Sequence, residues 1–204
     1  MTGVTGVIAV PAGPLVVVSG LLLAAGAGRR LGQPKAEVVV GGRRLLDRGI
    51  DVLYAAGCSE VVAVVRDDTL PPARADVRTV RNPDPGRGMG SSLRLGLAAC
   101  TGDIAVVMLV DTPGVGADAV RAVVDAVRAG VPVAIAEFDG RRLPPVAFAR
   151  PQWDEVAELA EGDQGARGFL RAHPERVSVV TCSGDPTDID TPQDLLRWNG
   201  PISE

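Results

Sequence analysis

The sequence is poor in histidine, cysteine and lysine, and each shortage argues against a class of chemistry. Its one histidine, His173, stands before a proline, which argues against a Ser-His-Asp hydrolase. The three cysteines, Cys58, Cys100 and Cys182, are too scattered for a zinc site and odd in number for a disulfide framework. They indicate a reduced, cytoplasmic setting. Among the 21 basic residues, Lys35 is the only lysine.

Aromatic residues, basic charge and uninterrupted apolar runs are scarce as well. Aromatics make up 3% of the chain, so Val, Leu and Ala must build the core. The net charge of −4 argues against general nucleic-acid binding, which favours basic surfaces. Residues 7–25 are apolar, but prolines and glycines interrupt them and no basic segment precedes them, so neither a membrane helix nor a signal peptide is expected. We expect residues 1–15 to form a loose N-terminal extension and residues 16–200 to form one domain.

Apolar, β-branched segments alternate with helical patterns along the chain. The predicted strands are 16–24, 60–66, 77–81, 104–111, 131–137, 143–149 and 176–181. The predicted helices are 44–56, 91–100, 116–129, 152–160, 164–172 and 191–198. The strands are too apolar to have one face in water, which predicts an α/β fold: a Rossmann-like three-layer α/β/α sandwich with a mostly parallel sheet. Ligands bind such sheets at the carboxyl ends of the strands.

A glycine-rich loop, LLLAAGAGRRLGQPK (residues 21–35), follows the first predicted strand. Its glycines leave main-chain N–H groups open to phosphate oxygens, and three cations stand beside them. The glycines are Gly26, Gly28 and Gly32, and the cations are Arg29, Arg30 and Lys35. Lysine carries a compact charge on a flexible stem, whereas arginine is a planar fork. A retained lysine therefore suits a phosphate whose geometry changes during a reaction.

The loop departs from two common phosphate-binding patterns. A P-loop requires G-x-x-x-x-G-K-[ST], which the residues after Gly32 do not supply. A dinucleotide-binding G-x-G-x-x-G fingerprint would have Leu31 at its third glycine, although Asp47 stands close to where a ribose-binding acid is expected. Pro34 interrupts the helix that this fingerprint needs, and VVVGG (38–42) predicts a short strand and turn. An ordinary strand-to-helix turn with solvated arginines is a further alternative.

The segment RNPDPGRGMGSSLRLGL, residues 81–97, combines a loop with the start of a helix. Asn82 and the glycines mark the loop, and Ser91 or Ser92 is expected to cap the helix. The helix N-terminus would favour an anion or a polar edge of a ligand. An ordinary capped helix would explain the same residues.

Acidic residues precede or follow predicted elements at three places. LVDTPGV (109–115) puts Asp111 at the end of a buried strand, where a carboxylate can bind Mg²⁺ with phosphate oxygens or simply occupy a turn. DIDTPQDL (188–195) offers Asp188 and Asp190 just before a helix that starts at Thr191-Pro192. In GDQGAR, Arg167 could clamp a phosphate or a ring, and Asp163 could instead be a helix cap.

Taken in this order, the segments resemble the MobA-like nucleotidyltransferase family, and within it the molybdenum cofactor cytidylyltransferases (MocA-like). The opening motif of that branch, LAAG-x-S-x-R-M-G-x-x-K, lies over residues 23–35, where Gly28 replaces Ser and Leu31 replaces Met. The GMGSSL run, DTP in place of D-Q-P, GDQGAR and DIDTPQDL match the later blocks. The resemblance covers residues 18–198 and implies a fold of the nucleotide-diphospho-sugar transferase type.

The resemblance also implies a role for particular residues. Those expected to bind the nucleotide are Leu23, Ala24, Ala25, Gly26, Gly28, Arg30, Lys35, Asn82, Ser92 and Asp111. Those expected to face the acceptor are Gly162, Asp163, Gly165, Ala166 and Arg167. Lys35, Arg30 and Asp111 would be catalytic, and Asp111 and Asp190 would bind Mg²⁺. Ala25 points to CTP, because the guanylyltransferase branch usually has glycine there.

The function implied by the resemblance is transfer of CMP, or another NMP, from an NTP to a phosphorylated acceptor with release of pyrophosphate. Molybdopterin or the molybdenum cofactor is the expected acceptor and a molybdoenzyme a candidate partner, with no nucleic acid and no membrane involved. The branch usually has G-H-P-V where Leu143, Pro144, Pro145 and Val146 stand here, which leaves the acceptor open. Two alternatives are an NAD(P)-dependent oxidoreductase of the nicotine blue oxidoreductase type and a non-catalytic nucleotide-binding partner of a molybdoenzyme.

Overall fold

The computed structural model of the chain describes residues 16–199, in which strands and helices alternate as predicted. The strands are β1 Val18–Leu23, β2 Val39–Val40, β3 Arg43–Arg44, β4 Glu60–Val65, β5 Arg78–Arg81, β6 Ile104–Leu109, β7 Val133–Phe138, β8 Arg141–Ala149 and β9 Val177–Thr181. The α-helices are α1 Leu45–Ala55, α2 Met89–Ala99, α3 Ala117–Arg128, α4 Trp153–Glu158, α5 Arg167–Ala172 and α6 Pro192–Asn199. The expected N-terminal extension, residues 1–15, lies outside the described residues.

Seven strands form one sheet in the order β5-β4-β1-β6-β8-β7-β9. All neighbours pair in parallel except that β8 runs antiparallel to both β6 and β7, so the prediction of a mostly parallel sheet is confirmed. The exception has a local cause. The turn between β7 and β8 contains Asp139 and Gly140 with φ values of 49° and 77°, and two such residues make a tight hairpin turn.

The sheet separates two hydrophobic cores, which makes the fold three-layered. Leu22 of β1 points into one core, whereas Leu21 and Leu23 point into the other, as expected from the alternation of side chains along a strand. Helices α1 and α3 cover the first core, and α6 packs its apolar side chains against it. Helices α2, α4 and α5 cover the second core. None of the helices within residues 16–199 has the length and hydropathy needed to cross a membrane.

Three parallel strands bring the predicted motifs to one edge of the sheet. Leu23, the last residue of β1, pairs with Val64 of β4 and with Leu109 of β6. The glycine loop and Asp111 therefore leave adjacent strands at the same edge. Asn82, which follows β5, donates its main-chain N–H to the carbonyl of Val65 and so ends at this edge too.

Candidate active site

The glycine loop folds back on itself directly after β1. The N–H of Leu31 donates to the carbonyl of Gly28 (2.8 Å), and the N–H of Lys35 donates to the carbonyl of Gly26 (3.2 Å). Gly28 has φ of 56°, and a Cβ at this position would lie 1.9 Å from the carbonyl oxygen of Gln33, so only glycine fits. Within residues 16–199, none of the main-chain N–H groups of residues 25–29 donates a hydrogen bond. The loop therefore presents free N–H donors, which suit an anion.

The side chain of Lys35 crosses from the glycine loop to two acidic segments. Its aliphatic stem packs on Gly26, where a Cβ would lie 3.5 Å from Lys35 Cδ. Its Nζ lies 2.6 Å from Asp111 Oδ2 and also donates to Asp190 Oδ1. Burial disfavours the charged ammonium, but the two carboxylates outweigh this effect and raise the pKa of Lys35 above its ordinary value. Lys35 is therefore a cation at neutral pH.

Asp190 is held in place by its neighbours on both sides. Ile189 is fully buried in the core, and its N–H donates to the carbonyl of Asp111 (2.9 Å). On the other side, Thr191 and Asp194 form a reciprocal cap at the start of α6: Thr191 N–H donates to Asp194 Oδ2 (2.9 Å), and Asp194 N–H donates to Thr191 Oγ1 (3.2 Å). With Pro192 as the first residue of α6, the predicted helix start at Thr191-Pro192 is confirmed.

Three carboxylates converge where Lys35 ends. One oxygen from each of Asp111, Asp188 and Asp190 lies within 4.8 Å of the others. Asp111 Oδ1 is buried and has no hydrogen-bond partner within the described residues. Burial is the main cause that raises the pKa of Asp188. The negative charges of Asp190 and Asp111 raise it further, because like charges repel one another. Oxygen ligands in this number and an orphaned buried oxygen fit a hard divalent cation such as Mg²⁺.

Asn82 organises the loop opposite these acids. It is buried, and its Nδ2 donates to Ser91 Oγ and Ser92 Oγ, both at 2.9 Å. Its Oδ1 accepts the N–H of Asp84 at 3.0 Å. The expectation that Ser91 or Ser92 caps the helix is wrong, because α2 begins earlier, at Met89, and its N-cap is Gly88. Both serines lie in the first turn instead, and Asn82 fixes their hydroxyls.

These elements line a cleft of about 470 Å³ at the edge of the sheet. Of the residues predicted to bind the nucleotide, the lining includes Leu23, Ala25, Gly26, Gly28, Lys35, Ser92 and Asp111. Asp163, predicted for the acceptor, lines the same cleft. The lining of the cleft thus combines unbonded N–H groups with the ammonium of Lys35 and the carboxylates of Asp111 and Asp163.

Several predicted residues lie away from this lining. Ala24 is fully buried, and its N–H donates to Val64 of the sheet. Arg30 is exposed and does not line the cleft, whereas its neighbour Arg29 does. Asn82 does not line the cleft, but its amide donates a hydrogen bond to Ser92, which does.

The residues predicted to face the acceptor divide between two places. Asp163 reaches the first cleft, whereas Ala166 and Arg167 line a second one. Gly162 and Gly165 line neither cleft and pack on the start of α2, at Gly88 and Met89. A Cβ on Gly88 would lie 2.4 Å from the carbonyl carbon of Gly162, and a Cβ on Gly165 would lie 2.8 Å from Met89 Sδ.

Among the residues at the site that sequence reasoning did not assign, four have side chains that bear on its chemistry or shape. Arg29, Arg66 and Met89 line the cleft, and Asp188 joins Asp111 and Asp190. Arg66 had a usable signal, because it follows directly on the carboxyl end of β4. Asp188 also had a usable signal, because it is the first acid of a D-x-D sequence, although the sequence analysis assigned only Asp190 of this pair to the metal. The sequence does not show which of Arg29 and Arg30 faces the cleft, because that depends on the path of the loop.

Comparison with known proteins identifies relatives over nearly the whole chain. A family model described as MobA-like NTP transferase domain matches residues 20–177. The nicotine blue oxidoreductase of Paenarthrobacter nicotinovorans is 38% identical over 197 residues, which cover 90% of this chain and 97% of that protein.

Solved structures agree with this assignment. The crystal structure of the Rv0371c homologue from Mycobacterium sp. strain JC1 superposes with a TM-score of 0.79 at 29% identity, covering 88% of this chain and 93% of that one. The 2-C-methyl-D-erythritol 4-phosphate cytidylyltransferase of Thermus thermophilus has a TM-score of 0.68 at 21% identity, covering 90% of this chain and 97% of that one. The latter likeness establishes a shared fold.

Proposed function

The chain belongs to the MobA-like NTP transferase family and is a nucleotidyltransferase, and on this basis we propose a specific reaction for it. It transfers a nucleoside monophosphate, CMP first among the candidates, from an NTP to a phosphorylated acceptor and releases pyrophosphate. A molybdopterin-type molecule is the first candidate acceptor. The observation that carries the proposal is the contact between Lys35 Nζ and Asp111 Oδ2 at 2.6 Å, which joins the anion-binding loop to the carboxylate of Asp111 in one cleft.

The chemistry needs alignment and charge neutralisation rather than a covalent intermediate with the protein. The free N–H groups of residues 25–29 would bind phosphate oxygens of the NTP, and Lys35 would follow the negative charge that grows on the departing pyrophosphate. An acceptor phosphate oxygen forms the new bond to the α-phosphorus as the bond to the β-phosphate oxygen breaks. The electron pair of that bond leaves with pyrophosphate.

A divalent cation, Mg²⁺ in this proposal, would be held by Asp111 and Asp190, with Asp188 as a third candidate ligand. When bound, it would supply positive charge to the phosphates. Lys35 contacts the same two carboxylates, so its ammonium and such a cation share these ligands. The flexible stem of lysine allows the ammonium to move from the acids to a phosphate, which a planar guanidinium would do less readily.

The oxidoreductase alternative has one observation in its favour: the relative that is 38% identical is a nicotine blue oxidoreductase. Two features of this chain argue against a dinucleotide site. The glycine loop runs into a single 3₁₀ turn at Lys35–Glu37, and the first α-helix begins only at Leu45, so no helix N-terminus follows the loop directly. Asp47, the candidate ribose ligand, is buried and bound to Arg44 and to the N–H of Ala73.

The decisive experiment measures pyrophosphate release from each of the four NTPs with Mg²⁺, with and without molybdopterin-type acceptors. The proposal expects release with CTP that depends on the acceptor. CTP binding without release under any of these conditions would support the non-catalytic alternative instead. Thermal unfolding with CTP–Mg²⁺ or with NADPH distinguishes the transferase from the oxidoreductase. Stabilisation by NADPH alone would favour the oxidoreductase.

Paired variants of neighbouring arginines make the test sharper. Arg29→Ala removes a cation that lines the cleft, and Arg30→Ala removes one that does not. The family motif assigns the catalytic role to Arg30, whereas the cleft lining favours Arg29. The variant with the larger loss of CTP-dependent turnover identifies which arginine serves the triphosphate.

A further inference from the structure

A second cleft of about 310 Å³ adjoins the first and bears on the identity of the acceptor. The two clefts share Leu23, Met89 and Leu109 in their walls. A molecule in the second cleft would therefore sit next to the glycine loop and Asp111.

The walls of the second cleft are predominantly apolar. Residues from β1, β6, β7, β8, α2 and α5 contribute Leu and other aliphatic side chains. They include Leu23, Met89, Leu93, Val107, Leu109, Ile135, Val146 and Leu170. Such walls offer little to the hydroxyl groups of a sugar or polyol, because a buried hydroxyl needs hydrogen-bond partners.

A bulge in β8 extends the apolar wall. The pairing of β7 with β8 shifts register, from Ile135 opposite Val146 to Ala136 opposite Leu143. The two prolines between them are left out of the ladder, as expected for residues without an N–H donor. Pro144, which stands where relatives usually carry histidine, lines the cleft. The polar side chain expected there is therefore absent, and an apolar ring takes its place.

All charged side chains in the lining of the second cleft are arginines. Arg171 is engaged, because it donates to Gln164. For the side chains of Arg142 and Arg167, no hydrogen bond or ion pair is formed with any residue between 16 and 199. The first cleft differs, because Asp111 and Asp163 line it. Charge complementarity in the second cleft therefore calls for an anion.

From this combination we infer that the acceptor is an amphipathic anion: a ring-sized body whose flat faces pack on the apolar walls of the second cleft, with negative charge facing Arg142 and Arg167. The inference rests on the proposed function, since it names the acceptor class of the same transferase. It excludes polyol and sugar phosphates as preferred acceptors. Specificity arises from the unpartnered arginines and from the aliphatic side chains that form most of the wall.

The binding test uses 1-naphthyl phosphate, which joins an apolar ring system to a phosphate, and needs neither NTP nor metal. Titration calorimetry of the full chain should show saturable binding of this probe. Neutral 1-naphthol should bind more weakly, and glucose 1-phosphate should not saturate over the same concentrations. Arg142→Ala and Arg167→Ala should each weaken binding of 1-naphthyl phosphate by about threefold to tenfold, the range for charged hydrogen bonds at a partly exposed site.

Two further variants locate the binding. Ala166→Phe extends a side chain into the cleft and should abolish saturable binding. Arg128→Ala removes a surface arginine that pairs with Asp125, far from the cleft lining, and should bind as the unaltered protein does. Circular dichroism of each variant checks the fold. If Ala166→Phe fails to fold, Arg142→Ala and Arg167→Ala still test the inference.

The inference is overturned if glucose 1-phosphate binds as tightly as 1-naphthyl phosphate. It is also overturned if Arg142→Ala and Arg167→Ala both bind 1-naphthyl phosphate as tightly as the unaltered protein does. Its failure is distinguishable from failure of the proposed function. Transfer of NMP to a sugar phosphate, without binding of 1-naphthyl phosphate, would refute only the acceptor class. Binding of 1-naphthyl phosphate with no pyrophosphate release from any NTP would refute only the transferase reaction.

Discussion

Lys35 Nζ lies 2.6 Å from Asp111 Oδ2, although 76 positions separate the two residues in the chain. The side chains of both are largely buried, at 15% and 16% exposure, so water screens the pair only weakly. The same ammonium also binds Asp190. One cation thus links the glycine loop, the end of β6 and the segment before α6.

Replacement of Lys35 tests this link. Lys35→Ala should lower the rate of CTP-dependent pyrophosphate release by roughly 10²–10³-fold, the usual loss when one charge-stabilising donor is removed. Lys35→Arg should restore little activity, because a planar fork cannot replace a mobile ammonium. A Lys35→Ala protein with full turnover would rule out the role assigned to this side chain.

Loss of the Lys35 ammonium should strengthen metal binding, although it weakens turnover. Lys35→Met removes the cation that contacts Asp111 and Asp190 and leaves the three carboxylates with less compensating charge. We expect Mn²⁺ to bind Lys35→Met more tightly than the unaltered protein in the absence of nucleotide, as measured by electron paramagnetic resonance of free Mn²⁺. Asp111→Asn is the control and should weaken Mn²⁺ binding. Equal or weaker binding by Lys35→Met would contradict shared ligands.

Two glycines of the loop form a matched pair. Both have positive φ, 56° at Gly28 and 72° at Gly32, but a Cβ would collide only at Gly28, 1.9 Å from Gln33 O. Gly32→Ala should lower the free energy of unfolding by about 1–2 kcal/mol, the strain of a left-handed residue. Gly28→Ala should lower it by about 2–5 kcal/mol, because overpacking adds to that strain. Urea unfolding of both variants measures the difference, and equal values would mean that the loop relaxes freely.

Asn82 should matter for stability as well as for the cleft. Asn82→Ala removes a buried amide that binds Ser91 and Ser92, so we expect a loss of about 1–3 kcal/mol in the free energy of unfolding. CTP should also stabilise this variant less, because Ser92 lines the cleft. Asn199→Ala, which removes an exposed amide, is the control for thermal unfolding. An unchanged midpoint for Asn82→Ala would show that the serines are held by other contacts.

The cap at the start of α6 predicts a pH dependence. The side-chain hydrogen bond from Thr191 is the main cause that holds the pKa of Asp194 below its ordinary value of 3.8. A lowered carboxyl pKa contributes stability above pH 3.8, and this contribution is lost as pH falls through the folded-state pKa. Thr191→Ala should therefore lower the free energy of unfolding at about pH 7. The difference from the unaltered protein should shrink below pH 3.8, whereas a constant difference would exclude the linkage.

Thiol reactivity tests the two buried cysteines. Burial raises the pKa of Cys58 and of Cys100 to about 12, so both remain protonated and unreactive at about pH 8. Cys182 is only partly buried, although burial also raises its pKa. Ellman's reagent at this pH should titrate one thiol in the folded protein and all three in guanidinium chloride. Rapid reaction of more than one thiol without denaturant would contradict the burial of the other two.

The alternation of elements could be predicted because it rests on local patterns. Apolar runs such as IAVVML predict buried strands, and the spacing of Leu45, Leu46, Ile50 and Leu53 predicts α1, which the structure forms from Leu45 to Ala55. The position of Asp111 at a strand end was readable for the same reason. The N-cap of α2 could not be predicted in this way. It is a glycine, and the two serine hydroxyls accept hydrogen bonds from the Asn82 amide instead of capping the helix.

Local patterns in the sequence were enough to predict a mostly parallel α/β sheet, a phosphate-binding type of loop with one lysine, and acids placed near strand ends. These features depend on residues close together in the chain. The folded chain was needed to show that Lys35 meets Asp111 and Asp190, that Arg29 rather than Arg30 lines the cleft, and that an apolar cavity with unpaired arginines adjoins it. Each of these depends on which strands become neighbours in the sheet and on the path of the loops between them, and no local pattern specifies either.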